Sequence, residues 1–216
     1  MVLRALIFDL DGTLTDTLPL CYAAFAHAFA KFGLGSKADP QIHALFGPSE
    51  EGIIRRLVPD RWQACYEEYL RYYEQRHDEY AEIFPGIERL LGWIEGRRLA
   101  TGIVTAKGAG TAAITIRRLG LRRYFSDVEA GSPDGANKPK GIRTMLARWG
   151  RRPAEAVYVG DSPYDMHAAR QVGAVPIGAA WASGANAHAL RSAGAAVVFE
   201  SPTALHLWLT CAAVER

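Results

Sequence analysis

The chain has 216 residues, with 25 Lys and Arg against 23 Asp and Glu, a formal net charge of +2 and 49% hydrophobic residues. That length fits one large domain or a core with a smaller insertion, and so slight a charge excess, spread without a basic stripe, argues against a nucleic-acid partner. Cys21, Cys65 and Cys211 are too few and too scattered for a disulfide framework or a Cys-rich metal site, and no segment is apolar over the ~18 residues of a membrane span, so the expectation is a cytoplasmic protein with no membrane partner.

Residues 3–8 form an apolar run that reads as a short buried parallel strand, and they lead into FDLDGTLTDT at residues 8–17. Residues i and i+2 of a strand share a face, so Asp9 and Asp11 are expected to point together at a strand's carboxyl end, where open α/β sheets place their ligands. Gly12 then lets the backbone turn. Such a pair can hold one Mg²⁺ while one member attacks phosphorus, although an Asp-x-Asp-Gly stretch alone is equally a turn.

Residues 18–81 carry helical periodicity only, over 21–32, 40–46, 50–57 and 61–80. They read as an all-helical insertion that closes at a turn of Phe84, Pro85 and Gly86. Trp62, Tyr66, Tyr69, Tyr72, Tyr73 and Tyr80 could stack on a base or sugar, but their helical spacing favours packing inside the insertion. Gly47 and Pro48 make a turn before the helix over 50–57, whose exposed amides, with Arg55 and Arg56, offer a place for a carboxylate or a second phosphate. The competing reading puts both arginines on the solvated face of that helix.

From residue 101 onward, strands over 101–104, 156–159, 175–177 and 196–199 alternate with helices over 111–119, 139–149, 164–172 and 187–193, and a helix over 203–214 closes the chain. This is the pattern of a parallel sheet covered by helices on both faces. The strand over 101–104 runs into Thr105, whose hydroxyl, with the backbone amides from Ala106 on, can donate to phosphoryl oxygens. Just beyond it, Gly108, Gly110 and Ala113 imitate the G-x-G-x-x-A dinucleotide fingerprint, with Asp127 and Glu129 about 20 residues on. The first glycine falls well past the strand and no apolar strand leads into Asp127, so a nicotinamide-dependent oxidoreductase is a remote alternative.

The stretch NKPKG at residues 137–141 sets Lys138 against a proline at a helix start, and such a lysine can bridge a nucleophilic carboxylate and a phosphate. In AVYVGDSPYDMHAA, residues 156–169, an apolar strand runs into Gly160 and Asp161, Ser162 is a natural helix cap, and Asp165 follows one turn later. Asp161 supplies a third carboxylate for a magnesium site, and Asp165 can orient a metal water or the lysine.

FDLDGT, the strand ending in Thr105, Lys138-Pro139 and GDSPYD resemble, in order and in spacing, the four motifs of the haloacid dehalogenase superfamily, in its branch of small phosphatases that includes phosphoglycolate phosphatases and pyrophosphatase-like hydrolases. The resemblance implies an α/β fold with a Rossmann-like core, residues 1–14 and 84–216, and a helical cap, residues 15–83, inserted after the first strand. It implies Asp9 as a nucleophile that forms an aspartyl-phosphate and Asp11 as general acid and then base. Thr105, Ala106 and Lys138 would hold the phosphoryl oxygens. Mg²⁺ would sit on Asp9, the backbone carbonyl of Asp11 and Asp161, with Asp165 in support.

Two positions depart from the superfamily pattern. Lys140 and Gly141 follow Pro139 where Lys-Pro-x-Pro is usual, so Lys140 competes with Lys138, and Ala106 stands where asparagine is common. Dehalogenases and phosphonoacetaldehyde hydrolases of the superfamily lack an acid/base aspartate two residues after the nucleophile, so Asp11 favours phosphate esters. The expected activity is Mg²⁺-dependent hydrolysis of a small phosphorylated metabolite by a monomer or homodimer. A sugar-phosphate mutase of the β-phosphoglucomutase type would use the same two aspartates and is the alternative. Substrate choice is expected to fall to the cap, through residues 15–21, Gly47 and Arg55.

Overall fold

The computed structural model describes residues 3–35, 37–97, 99–135 and 137–211. The chain runs through β1 (Ala5–Phe8), β2 (Thr15–Asp16), α1 (Leu18–Lys31), α2 (Asp39–His43), α3 (Glu50–Leu57), α4 (Trp62–Gln75), α5 (His77–Tyr80), β3 (Glu82–Ile83) and α6 (Ile87–Glu95). It continues through β4 (Ala100–Gly108), α7 (Ala109–Arg118), β5 (Asp127–Gly131), α8 (Lys138–Trp149), β6 (Ala156–Gly160), α9 (Pro163–Val172), β7 (Val175–Ala179), α10 (Ala187–Ser192), β8 (Val197–Phe199) and α11 (Pro202–Cys211). Among the described residues, no helix is long and apolar enough to cross a membrane.

Six of these strands form one parallel sheet in the order β5-β4-β1-β6-β7-β8. The alternation of side chains along β1 shows why it takes the centre. Leu6 and Phe8 enter a core under one face, with Ile87, Leu90, Ile116 and Leu205, while Ala5 and Ile7 enter the opposite core, with Ile142, Met145 and Tyr158. A strand apolar on both faces is stable only between two helical layers, and burying a side chain such as Phe8 contributes about 1.5–3 kcal/mol. This strand order reverses direction between β1 and β6, which opens a crevice at their carboxyl ends.

The helical insertion of α1–α5 leaves and re-enters the core through a two-stranded antiparallel ribbon that pairs Thr15 with Ile83 and Asp16 with Glu82. It has its own apolar centre, in which Phe25 meets Tyr69 at 4.6 Å between ring centroids, and Tyr69 and Tyr73 are fully buried. The aromatic residues of the long segment therefore pack, apart from the exposed Tyr80. The Tyr73 hydroxyl shares a 2.8 Å hydrogen bond with Thr115 and ties α4 to α7.

Several boundaries differ from the sequence reading. The helix expected over 61–80 breaks at Arg76 into α4 and α5, and the expected 203–214 helix is α11, with residues 212–214 outside the described residues. Residues 1, 2, 215 and 216 of the expected core lie outside them as well. β4 runs on to Gly108, so Gly108 ends the strand instead of standing apart from it. Asp127 opens β5, an edge strand whose acids Asp127 and Glu129 are paired by Arg148. Charged side chains keep such an edge from pairing with another chain.

Candidate active site

β1 ends at Phe8, and the Asp9 amide donates to the Val159 carbonyl at 2.9 Å, so the ladder with β6 carries Asp9 to the crevice. Gly12 turns the chain back with φ 76°, and a Cβ on it would lie 2.3 Å from Asp161 Oδ2. Only glycine tolerates both conditions. Across the crevice, Gly160 ends β6 and Asp161 follows, and the Ser162 hydroxyl accepts from the Asp165 amide to start α9. Asn137 starts α8 in the same way, accepting from the Lys140 amide, and this directs Lys138 inward.

The Lys138 ammonium donates to Asp9 Oδ2 and to Asp165 Oδ1, at 2.5 Å each. Lys140 is exposed on the same helix, so geometry separates the two lysines that the sequence left in competition. Carboxylate oxygens of Asp9, Asp161 and Asp165 lie within 4.8 Å of one another. Asp165 is saturated by protein donors: its Oδ1 accepts from Lys138 and the Tyr158 hydroxyl, and its Oδ2 from the Ser162 amide and hydroxyl. A carboxylate has about four acceptor positions, so Asp165 orients Lys138 and has no lone pair to spare, while Asp161 stays open towards the crevice.

The electrostatics follow from burial. Burial pushes the Asp9 carboxyl up from 3.8 to about 6, against the opposing pull of Lys138. Burial, and then the Asp165 and Asp9 charges, raise Asp161 well above the carboxylate range. Lys138 rises above its ordinary value because Asp165 and Asp9 outweigh the cost of burying its ammonium. Three acids around one ammonium leave an excess of hard oxygen donors, the donor chemistry that Mg²⁺ prefers.

β1 ends at Phe8, so Asp9 and Asp11 both lie beyond the strand and side-chain partners fix how Asp11 is held. Its carboxylate accepts from Thr17 and, through Oδ1 and Oδ2 at 3.1 and 3.3 Å, from the Lys107 ammonium. Both aspartates still open into one cavity of about 490 Å³ between core and cap, with Thr105 and Ala106 in its wall. The Thr105 Oγ1 accepts from the Lys107 amide at 3.1 Å, which leaves its proton for an acceptor in the cavity.

Comparison with known proteins identifies the family. Residues 6–179 match the haloacid dehalogenase-like hydrolases. The chain belongs to that family. It is 36% identical over 182 residues to a phosphoglycolate phosphatase of Synechococcus elongatus, covering 83% of this chain and 84% of that one. To a pyrophosphatase PpaX of Bacillus velezensis it is 27% identical over 183 residues, 82% and 83% of the two chains. The crystal structure of a predicted phosphoglycolate phosphatase from Haemophilus somnus superposes with a TM-score of 0.82, at 18% identity over 97% of this chain and 99% of the other.

As a phosphatase of the haloacid dehalogenase-like family, the chain also shows what sequence reasoning missed. Lys107 is buried, 3.1 Å from Cys21 Sγ, 3.9 Å from Glu50 Oε1 and 4.7 Å above the Tyr73 ring. Burial alone would lower its ammonium, but Asp11 above all holds it well above the ordinary lysine value. Glu50, at the start of α3, accepts from the Gly108 amide and the Thr111 hydroxyl, both at 2.6 Å. The first amide of the glycine-rich stretch is therefore taken, and a Cβ on Gly110 would meet Tyr66 and Leu70 at 2.9 and 3.0 Å. That stretch is covered by the cap and leaves no room for a dinucleotide.

The cap seats closely on the core. The Ser49 backbone amide donates to the Ser132 carbonyl at 3.0 Å, and a Cβ on Gly52 would lie 2.1 Å from the Pro133 oxygen. Gly47 lines the cavity, but Arg55 does not. Arg55 is exposed, paired with Glu51 at 2.5 Å and lying over the Trp62 ring at 4.2 Å, while Arg56 donates to the Leu45 carbonyl at 3.5 Å. The expectation of a cationic Arg55 contact to substrate is thus corrected to the solvated-face reading.

Proposed function

We propose that this protein is a Mg²⁺-dependent phosphomonoesterase that works through an aspartyl-phosphate on Asp9. The observation that carries the reading is Lys138, held at 2.5 Å from both Asp9 and Asp165 beside Asp161 at the point where the strand order reverses. An anionic nucleophile can meet an anionic phosphoryl group only where positive charge is already fixed. Asp9 attacks phosphorus, the bond to the ester oxygen breaks, and Asp11 gives its proton to that oxygen. Asp11 then takes a proton from water, whose oxygen attacks phosphorus and releases the Asp9 carboxylate.

Thr105, the Ala106 amide and Lys138 hold the phosphoryl oxygens. Asp9, the Asp11 carbonyl and Asp161 would hold Mg²⁺, which when bound neutralises charge on the phosphoryl group. Residues 15–83 act as the cap over a core of residues 1–14 and 84–216, with the β2–β3 ribbon at the crossing. The substrate is a small phosphorylated metabolite. The relatives named for phosphoglycolate and pyrophosphate hydrolysis support the reaction class and bear less on the leaving group.

The test is turnover of a panel of phosphomonoesters with Mg²⁺, together with trapping of the intermediate. Asp11→Asn should still be phosphorylated by an activated ester but lose phosphate at least about 100-fold more slowly, so that rapid acid quench shows a longer-lived phosphoenzyme. Beryllium fluoride with Mg²⁺, an imitation of the acyl phosphate, should inhibit strongly. Unchanged dephosphorylation in the variant would remove the acid/base role, and indifference to beryllium fluoride would argue against the aspartyl-phosphate.

Metal binding should also be visible without turnover. Because the Asp9 carboxyl is raised from 3.8 to about 6 in the fold, the folded state holds its proton more tightly than the unfolded state. Stability therefore falls as pH rises from about 4 to about 6, by at most about 3 kcal/mol from this group. A cation on the ionised carboxylates offsets that cost. Added Mg²⁺ should then raise Tm more at about pH 7.5 than at about pH 5, and equal rises at the two pH values would contradict a metal site on these acids.

A further inference from the structure

The cap's contribution to the cavity bears on what the ester carries, an inference that rests on the phosphatase reading. Its side chains there include Leu18, Cys21, Phe25, Phe46 and Ile53, an apolar wall. Phe46 is the exposed end of that wall, 37% accessible and stacked on Tyr22 at 5.9 Å with 18° between rings. His43 stands beside it, its Nδ1 sharing a 2.9 Å hydrogen bond with the Tyr22 hydroxyl.

Among the described residues that line the cavity, the lysines are Lys107 and Lys138, there is no arginine, and both ammoniums are already committed. Lys138 spans Asp9 and Asp165, and Lys107 spans Asp11 and Glu50. Four acids, Asp9, Asp11, Glu50 and Asp161, share the same lining. A carboxylate or second phosphate on the leaving group would be buried here without an unpaired cation, and next to acids, which is strongly unfavourable. A two-carbon acid would also leave most of the roughly 490 Å³ to water, in a cavity whose size is within the range that encloses much larger ligands.

We infer that the leaving group is an uncharged alcohol with an apolar, ring-bearing body that extends along Leu18, Phe25 and Ile53 to the face of Phe46. The core holds the phosphoryl group, which every ester shares, so discrimination comes from this wall. A flat ring finds an aromatic face at Phe46, and a neutral hydroxyl or carbonyl at its far end can meet the His43 ring.

The test compares four compounds with Mg²⁺: 2-phenylethyl phosphate, methyl phosphate, phosphoglycolate and pyrophosphate. The three esters release alcohols whose oxygen sits on a primary or methyl carbon, so differences among them report the pocket more than leaving-group chemistry. The expected result is a kcat/KM for 2-phenylethyl phosphate at least about 100-fold above that for phosphoglycolate or methyl phosphate, carried mostly by KM. Phe46→Ala should narrow the advantage over methyl phosphate about tenfold, and Phe46→Arg should shift the ranking towards phosphoglycolate. Phosphoglycolate or pyrophosphate turned over as well as or better than the phenylethyl ester by the wild-type chain would overturn the inference and leave the phosphatase reading standing. Failure with every compound, p-nitrophenyl phosphate included, would overturn both.

Discussion

Asp9→Asn is expected to lower turnover of any phosphomonoester by about 10⁴-fold or more, because the amide keeps the carboxylate's shape but has no electron pair able to attack phosphorus. Asp9 uses its two oxygens differently: Oδ1 accepts from the Leu10 amide at 2.7 Å and Oδ2 from Lys138 at 2.5 Å. Asparagine has one acceptor oxygen, so one of these donors loses its partner at a cost of about 1–3 kcal/mol. The lost hydrogen bond and the relief of burying a neutral amide in place of a carboxylate raised to about 6 oppose each other, so the variant should keep the wild-type circular dichroism at assay temperature. It should also lose most of the Mg²⁺-induced rise in Tm, since one of the acids proposed to hold the ion is gone. EDTA should silence the wild type to the same background. Activity that persists in the variant, after subtraction of a mock purification, would remove Asp9 as nucleophile.

The parts of the site that were legible in the sequence are those whose placement is decided locally. Asp161 and Lys138 each stand where an apolar run or a cap residue fixes the backbone, so Gly160 and Asn137 are enough to aim them. The excess acids beside Lys138 then follow from strand order alone. Asp11 was less legible, because its orientation depends on where β1 stops, and ladders stop for reasons outside the strand itself. β5 was hidden for a related reason: as an edge strand with acids at Asp127 and Glu129, it has no apolar run to reveal it. By contrast, α6, which the sequence reading did not assign, carried a signal that was missed: Ile87, Leu90, Leu91 and Ile94 recur at helical spacing and are all buried.

Arg55 and Lys107 fail in opposite directions for one reason. The face a helix turns to solvent, and the partners a buried charge finds, depend on segments distant in the chain. Glu51 and Trp62 hold Arg55 away from the cavity, while Cys21, Glu50 and Asp11 converge on Lys107 from both sides of the cap boundary. No period-two pattern marks Lys107, because the β4–β5 register shifts between Val104 and Gly108 and same-face alternation does not carry through that segment.

That convergence makes Lys107 the most consequential residue outside the proposed chemistry. Lys107→Met keeps the apolar stem and removes the ammonium, so Asp11 retains only Thr17 among these donors, and Glu50 faces Asp11 with no cation between them. Removing one partner of a buried ion pair costs about 3–5 kcal/mol, which for a chain of this length corresponds to a fall in Tm on the order of 10 °C. Glu50 and Lys107 share a network, so their effects should not add: Glu50→Gln combined with Lys107→Met should be less destabilised than the sum of the two single changes. Lys140→Met, on the exposed side of α8, is the matched control and should shift stability by no more than about 0.5 kcal/mol. Equilibrium urea unfolding of the four variants measures all of these terms. A Lys107→Met protein within about 1 kcal/mol of wild type would mean that water reaches this ammonium in solution and that Lys107 does not join core to cap through Glu50 and Cys21.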